Sequence, residues 1–190
     1  MQGMSYLGAM CVLHSGGEDV ESAYQTLKAL LSTPLLACFY SDDAEAIHMM
    51  MQAMDFIFAR SLPALHRHFQ ECGVDCGMFA PPWFVTLFAK QLPILLAARI
   101  WDSYVIEGEA FILRAAVGVL SVLGARLREM EAEEVMRALT SLSAFREVTA
   151  WDKDTPAALE KFLSVVDAVI VPPKAEKILW ELARRGQGKQ

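Results

Sequence analysis

Nowhere in these 190 residues do apolar and polar residues alternate over the length of a half-buried strand. That absence points to an all-α fold. A phosphate-cradling loop is missing too: Gly16-Gly17 has no following Lys-Ser/Thr and no flanking strand, so the chain does not read as a nucleotide hydrolase. Its four cysteines, Cys11, Cys38, Cys72 and Cys76, form no C-x-x-C pair, and they read as buried, reduced thiols. Basic residues are too few for a nucleic-acid partner: 17 Lys and Arg face 23 Asp and Glu, a net charge of −6. No apolar run reaches the ~18 residues of a membrane span, because Arg99 and Arg114 interrupt the two best candidates. The apolar start Met4–Leu13 follows no Lys or Arg and makes a poor signal peptide.

The four histidines add no metal site. His66 and His68, two apart, point to different faces of a helix, and His14 and His48 lack acidic or Cys companions. Ser5 and Cys11 have no helix-spaced base beside them, and His14 reads as a surface residue. Trp101-Asp102 and Trp151-Asp152 lie in or beside helical periodicities, which excludes propeller repeats.

What is abundant is apolar surface. The hydrophobic fraction is 54% and the mean hydropathy +0.30, high for a soluble chain. Either the helices are buried on several sides, or a covering piece belongs with them. An apolar helix runs from Gly3 to Leu13 and ends at Ser15-Gly16-Gly17. Glu18-Asp19 opens a second, with Val20, Tyr24, Leu27, Leu30 and Leu31 at helical spacing, and Ser32-Thr33-Pro34 breaks it. From about Ala44 a long helix carries Ile47, Met50, Met51, Met54 and Phe58 as one stripe, read as core, and Pro63 kinks or restarts it. Cys72–Asp75 is a turn. Pro81-Pro82 introduces a helix with Trp83, Phe84, Leu87 and Phe88 on one face, and Pro93 another with Ile94, Ala97, Ala98 and Trp101 inward. After a junction at Glu107-Gly108, Phe111–Leu123 is apolar all round except Arg114 and Ser121, the mark of a buried central helix. Val135, Leu139 and Leu142 line a shorter helix. Thr155-Pro156 starts the next, with Leu159, Phe162, Leu163, Val166, Val169 and Ile170 on one face. Pro172-Pro173 opens the last, with Ile178, Leu179 and Leu182.

Three charged residues need partners. Arg99 and Asp102 stand at i, i+3 and can pair, as part of a partly buried cluster pinning two helices. Arg114, inside the buried helix, needs a carboxylate, for which Glu107 is the candidate. Gln2, at the mouth of the first helix in Met1-Gln2-Gly3-Met4, is uncharged and can act only by hydrogen bonding.

Together these segments resemble the TBC domain, the catalytic module of GTPase-activating proteins for Rab-type small GTPases. The likeness runs in register from Met1 to about Gly124 and more faintly to about Leu142. The family's Tyr-x-Gln-Gly-Met is represented by Met1-Gln2-Gly3-Met4, without the Tyr. Its Trp-Phe-x-Thr-Leu-Phe segment appears as Trp83-Phe84-Val85-Thr86-Leu87-Phe88, leading to Leu92-Pro93. Its Arg-Ile-Trp-Asp and Glu-Gly appear as Arg99-Ile100-Trp101-Asp102 and Glu107-Gly108, and its buried Arg-x-Ala helix as Arg114–Leu120.

The resemblance implies a multi-helix TBC domain whose N-terminal part is missing. Residues 1–145 would be the partial domain. Residues 146–190 would be helices completing or flanking it, with a frayed basic tail from about 184. It implies a GTPase activator acting in trans on a Rab in its GTP form, not an enzyme with its own turnover. Gln2 would be the glutamine finger that orients the attacking water, and Gln2, Gly3 and Met4 would meet the GTPase. An arginine finger is expected upstream, in an Ile-x-x-Asp-x-x-Arg motif that this chain does not contain. No metal or cofactor of its own is implied, since the GTP and Mg belong to the partner. The expected location is cytoplasmic, with peripheral endomembrane association and no transmembrane segment. A second reading keeps the fold and drops the catalysis: a helical adaptor that binds a small GTPase or another partner through the Met-rich stripe and the basic tail. A third possibility is a remnant that does not fold alone.

Overall fold

The computed structural model describes residues 3–187. Among them are thirteen helices and no strand. In chain order these are α1 (Met4–His14), α2 (Val20–Leu31), α3 (Pro34–Tyr40), α4 (Ala44–Ser61), α5 (Pro63–Glu71), α6 (Cys76–Phe79) and α7 (Pro81–Val85). There follow α8 (Ile94–Glu107), α9 (Glu109–Leu127), α10 (Ala132–Ser141), α11 (Ser143–Val148), α12 (Thr155–Asp167) and α13 (Pro173–Gln187). The all-α expectation holds.

Local chemistry starts most of them. Asp19, Asp43, Asp75 and Asp154 each accept a backbone N–H from the first turn that follows, satisfying donors that have no partner within the helix. Glu131 and Glu134 form a reciprocal capping box at the start of α10. Pro34, Pro63, Pro81 and Pro173 stand at first helical positions, where a missing N–H costs nothing. At Gly108 the backbone takes φ 72°, ψ −155°, a region open essentially to glycine alone. It turns the chain from α8 directly into α9.

Helix α9 is the axis, with α4, α8, α11, α12 and α13 packed around it. It is long and apolar enough to cross a membrane by length and composition, which corrects the expectation that Arg114 would break such a run. Its place at the centre of the bundle explains the composition, since most of the helix from Phe111 to Leu127 is buried. Arg114 is satisfied as expected: its guanidinium donates to the Glu107 carboxylate and lies over the Phe111 ring. At Gly118 a methyl group would stand 2.7 Å from a Val166 methyl, so the missing side chain lets α12 close on α9. The methionine stripe is core: Met50, Met51 and Met54 are buried on α4.

Several boundaries differ from the sequence reading. Three helices were not anticipated, α3, α6 and α11. Thr155-Pro156 lie inside α12, whose cap is Asp154. Ile94 and Ile170 are exposed, and the inner face of α8 is Leu96, Ala97, Ile100, Trp101 and Tyr104. Helix α13 continues to Gln187 against α4, Arg185 donates to Glu45 at 2.5 Å, and Arg184 stacks on Trp180.

The cysteines are all free. Burial, followed by the Asp43 carboxylate, pushes the Cys38 thiol up to about 12. Burial raises Cys11, and burial, then the Asp55 and Asp75 carboxylates, raises Cys76. Only Cys72 is part-exposed. In native buffer at pH 8 a thiol reagent such as DTNB should therefore react with Cys72 first, and with the other three only on unfolding. Four thiols titrating at one rate would contradict this packing.

Candidate functional site

Gln2, the residue singled out for chemistry, lies outside the described residues. Its neighbour Gly3 is described, and it is held in a specific way. Gly3 caps α1 with φ 127°, ψ −33°, a backbone that L side chains rarely adopt. Its carbonyl accepts the amide of Tyr6 at 3.0 Å and that of Leu7 at 3.4 Å. A Cβ on Gly3 would stand 2.7 Å from Val85 Cγ1, 3.3 Å from Thr86 Cγ2 and 3.5 Å from the Tyr40 hydroxyl. Gly is therefore required here for two reasons, conformation and close approach. Met4, which follows it in the motif, is exposed beside it.

The surface that receives Gly3 is the end of the Trp-Phe-x-Thr-Leu-Phe segment. Sequence periodicity predicts one helix carrying Trp83, Phe84, Leu87 and Phe88. Instead α7 stops at Val85, and Leu87 (φ 44°) and Phe88 (φ 63°) are both left-handed. Neither is a glycine or asparagine, so each costs on the order of 1–2 kcal/mol. Long-range contacts hold them there. Trp101 Nε1 donates to the Leu87 carbonyl at 2.9 Å. Trp83 Nε1 donates to the Leu139 carbonyl at 3.0 Å. The Phe88 amide donates back to the Trp83 carbonyl at 2.8 Å. Trp83, Phe84, Leu87 and Phe88 are all fully buried. The side chains expected on one face do share the core, brought there by a corner and not by a continuous helix.

Three polar residues finish the corner. Thr86, the buried polar residue of this region, donates its hydroxyl to Pro82 O at 3.1 Å or Gln91 Oε1 at 3.0 Å. Gln91 Nε2 donates to Pro82 O at 3.0 Å. Tyr40, from α3, donates its hydroxyl to Val85 O at 3.1 Å, and burial raises its pKa. The strand of contacts is thus Gly3 to Val85 and Thr86, and from there to Tyr40 and Gln91. Sequence reasoning missed Tyr40 because the helix that carries it was read as a break. It missed Gln91 because nothing local marks a glutamine that braces a corner.

The remaining motif residues divide between core and surface. Trp101 is buried, its ring stacked with His14 of α1 at 5.8 Å between centroids. His14 is thus a surface residue with a packing role. Arg99 and Asp102 do pair, at 3.1 Å, yet both side chains are about half exposed. The expected buried cluster pinning two helices is therefore a surface pair within α8, because their side of the helix faces outward. They line a groove of about 490 Å³ between α1, α2 and α8, with Cys11 and Leu30 also lining it. Val105 and Ile106 stand exposed at its rim, Ile106 at 84%. A second carboxylate, Glu109, accepts the Leu35 amide at 3.3 Å and the Tyr104 hydroxyl at 3.4 Å. It fastens the start of α3, and so Tyr40, to the α8–α9 junction. His66 pairs with Asp55 at 2.9 Å, and His68 bonds the Met130 carbonyl.

Comparison with known proteins places the sequence in a family. The family model described as the Rab-GTPase-TBC domain matches residues 1–127. Drainin of Dictyostelium discoideum is 36% identical over 118 residues, 62% of this chain and 26% of that protein. TBC1 domain family member 14 of Mus musculus is 31% identical over 157 residues, 83% of this chain and 21% of that protein. TBC1 domain family member 12 of Xenopus tropicalis is 30% identical over 142 residues, 75% of the chain and 20% of that protein. The chain belongs to the Rab-GTPase-TBC domain family. It spans about a quarter or less of the length of these relatives.

Proposed function

We propose that this chain is the glutamine-bearing part of a GTPase-activating domain that acts in trans on a Rab in its GTP form. Gln2 is the reacting residue. Its amide oxygen accepts from the attacking water while its N–H donates toward a phosphate oxygen, so one side chain orients the nucleophile and meets developing charge. The observation that supports the reading most is the seat of Gly3. A residue adjacent to the finger has a backbone that only glycine takes, pressed on a corner that itself contains two strained residues. Strain of this kind persists where the surroundings over-determine it and clusters at functional sites.

An arginine supplied in trans is worth about 10³–10⁵ in the rate of a GTPase. No arginine here lies in an Ile-x-x-Asp-x-x-Arg run, so on this reading the arginine finger comes from outside these 190 residues. The GTP and its Mg belong to the partner, and the activator needs no cofactor of its own. Its place is the cytoplasm, peripheral to endomembranes. The adaptor alternative relied on the methionine stripe and the basic tail. Met50, Met51 and Met54 are buried and Arg185 is engaged with Glu45, which reduces the surface that reading would use among the described residues.

GTP hydrolysis by a panel of loaded Rabs tests the proposal. The 190-residue chain should stimulate little. A form extended upstream in its own reading frame should stimulate one or a few Rabs strongly, and Gln2→Ala in that form should cost about 10²-fold or more. Full stimulation by the chain alone, or no loss on Gln2→Ala, would overturn it.

A further inference from the structure

Away from the Gly3 seat, three hollows adjoin one another around Ser121 on the outer side of α9, and together they make a furrow. One, of about 430 Å³, lies between α9, the end of α4 and the segment after α12, with Arg60 at its edge. A second, of about 400 Å³, opens where α4 breaks into α5 and ends at Arg128. The third, of about 250 Å³, lies against α11 and α12 and carries Lys161. Their floor is apolar: Leu62, Leu65, Val117, Val165 and Phe162.

The charge around this furrow is unlike that of the rest of the chain. Acidic residues outnumber basic ones, 23 to 17, yet among the described residues no Asp or Glu lines any of the three hollows. Arg60 and Lys161 have no ion-pair partner among the described residues. Arg128 is held by a bond from Nε to the Gly124 carbonyl at 3.3 Å, which leaves its other donors outward. Ser61 lines two of the hollows, and its hydroxyl is buried with no hydrogen-bond partner among the described residues.

We propose that this furrow docks an acidic, amphipathic polypeptide segment of a partner protein. Apolar side chains of the segment fill the hollows, and its carboxylates meet Arg60, Lys161 and Arg128. A small anion would need only one of these cations and none of the apolar floor. A flat anionic bilayer is disfavoured by the exposed Glu129, Glu131, Glu133 and Glu134 that follow Arg128. A narrow segment can enter the furrow and avoid them.

The test is a selection of random displayed peptides on the immobilised chain, followed by fluorescence anisotropy of a recovered peptide. Recovered sequences should be rich in Asp and Glu spaced among apolar residues. Affinity should weaken with added salt, fall about 10-fold or more in Arg60→Glu/Lys161→Glu, and stay unchanged in Lys28→Glu on α2. The two target side chains are exposed, so the variants should melt with the parent. If the reversal unfolds the chain, Arg60→Gln/Lys161→Gln carries the same reading. Peptides without acidic enrichment, or binding indifferent to both double variants, would overturn the proposal. So would binding to phosphatidylserine vesicles that depends on Arg60 and Lys161 while no peptide binds.

Discussion

Gly3→Ala should lift the first turn of α1 off its seat. The added methyl meets Val85 Cγ1 at 2.7 Å, and the backbone at φ 127° does not accept it. Strain at such a residue is of order 1–3 kcal/mol, and overpacking adds about 1–3 kcal/mol more unless the neighbours give way. The neighbour is not the free end of a long side chain. Val85 is the last residue of α7, its carbonyl held by Tyr40. The melting temperature should fall by roughly 5–15 °C. Amide exchange at Tyr6 and Leu7, which donate to the Gly3 carbonyl, should accelerate. If Gln2 acts as proposed, stimulation of a Rab by the extended form should drop about 10²-fold, in kcat more than in KM, because the residue next to Gln2 is displaced. Unchanged exchange and unchanged melting in Gly3→Ala would mean that this contact does not form in solution.

Trp83→Ala should be the most destabilising single truncation at the corner. The side chain is fully buried, packs on Phe79 and Phe88 with centroids 5.1 and 5.7 Å away, and donates to Leu139 O. Removing it deletes aromatic packing and leaves a cavity, about 3–5 kcal/mol, a large share of a total stability of about 5–15 kcal/mol. The melting temperature should fall by roughly 6–20 °C. Trp83→Phe keeps most of the packing and strips the donor from the Leu139 carbonyl, about 1–3 kcal/mol. Denaturant melts of the pair check both figures. A loss below about 1 kcal/mol in the alanine variant would show that Trp83 is not the keystone of this corner.

What was legible in the sequence follows from what is local. Periodic apolar stripes located α2, α4, α8, α10 and α12, an all-round apolar run located α9, and prolines marked five of the thirteen starts. The need of a buried guanidinium for a carboxylate found the Glu107–Arg114 pair. What was not legible depends on distant contacts. Pro34 was read as a breaker because a proline that ends one helix and a proline that begins another look alike. The next residues, Leu35, Leu36, Cys38 and Phe39, are buried together without a stripe. Leu87 and Phe88 carry no turn signal, since their left-handed backbone is imposed by Trp101 and by burial. At Leu142, left-handed at φ 47°, the same kind of imposition hid the boundary between α10 and α11. Of the candidate site, the Gln2-Gly3-Met4 motif could be recognised in the sequence. The corner beneath it, with Tyr40 and Gln91, required the fold.

The bond from Trp83 to Leu139 has a bearing on the order in which the chain is built. Its two ends are 56 residues apart, and the Trp101–Leu87 bond closes a shorter loop of 14. Contacts of large sequence separation form late, because loop closure costs entropy before the contact rewards it. A nascent chain grows by about 5–20 residues per second. Gly3 therefore leaves the ribosome several seconds before the carbonyl that completes its seat has been synthesised. Through that interval the first helix is present without the corner that fixes it. The seat of Gly3 is thus completed only once α10 has been made.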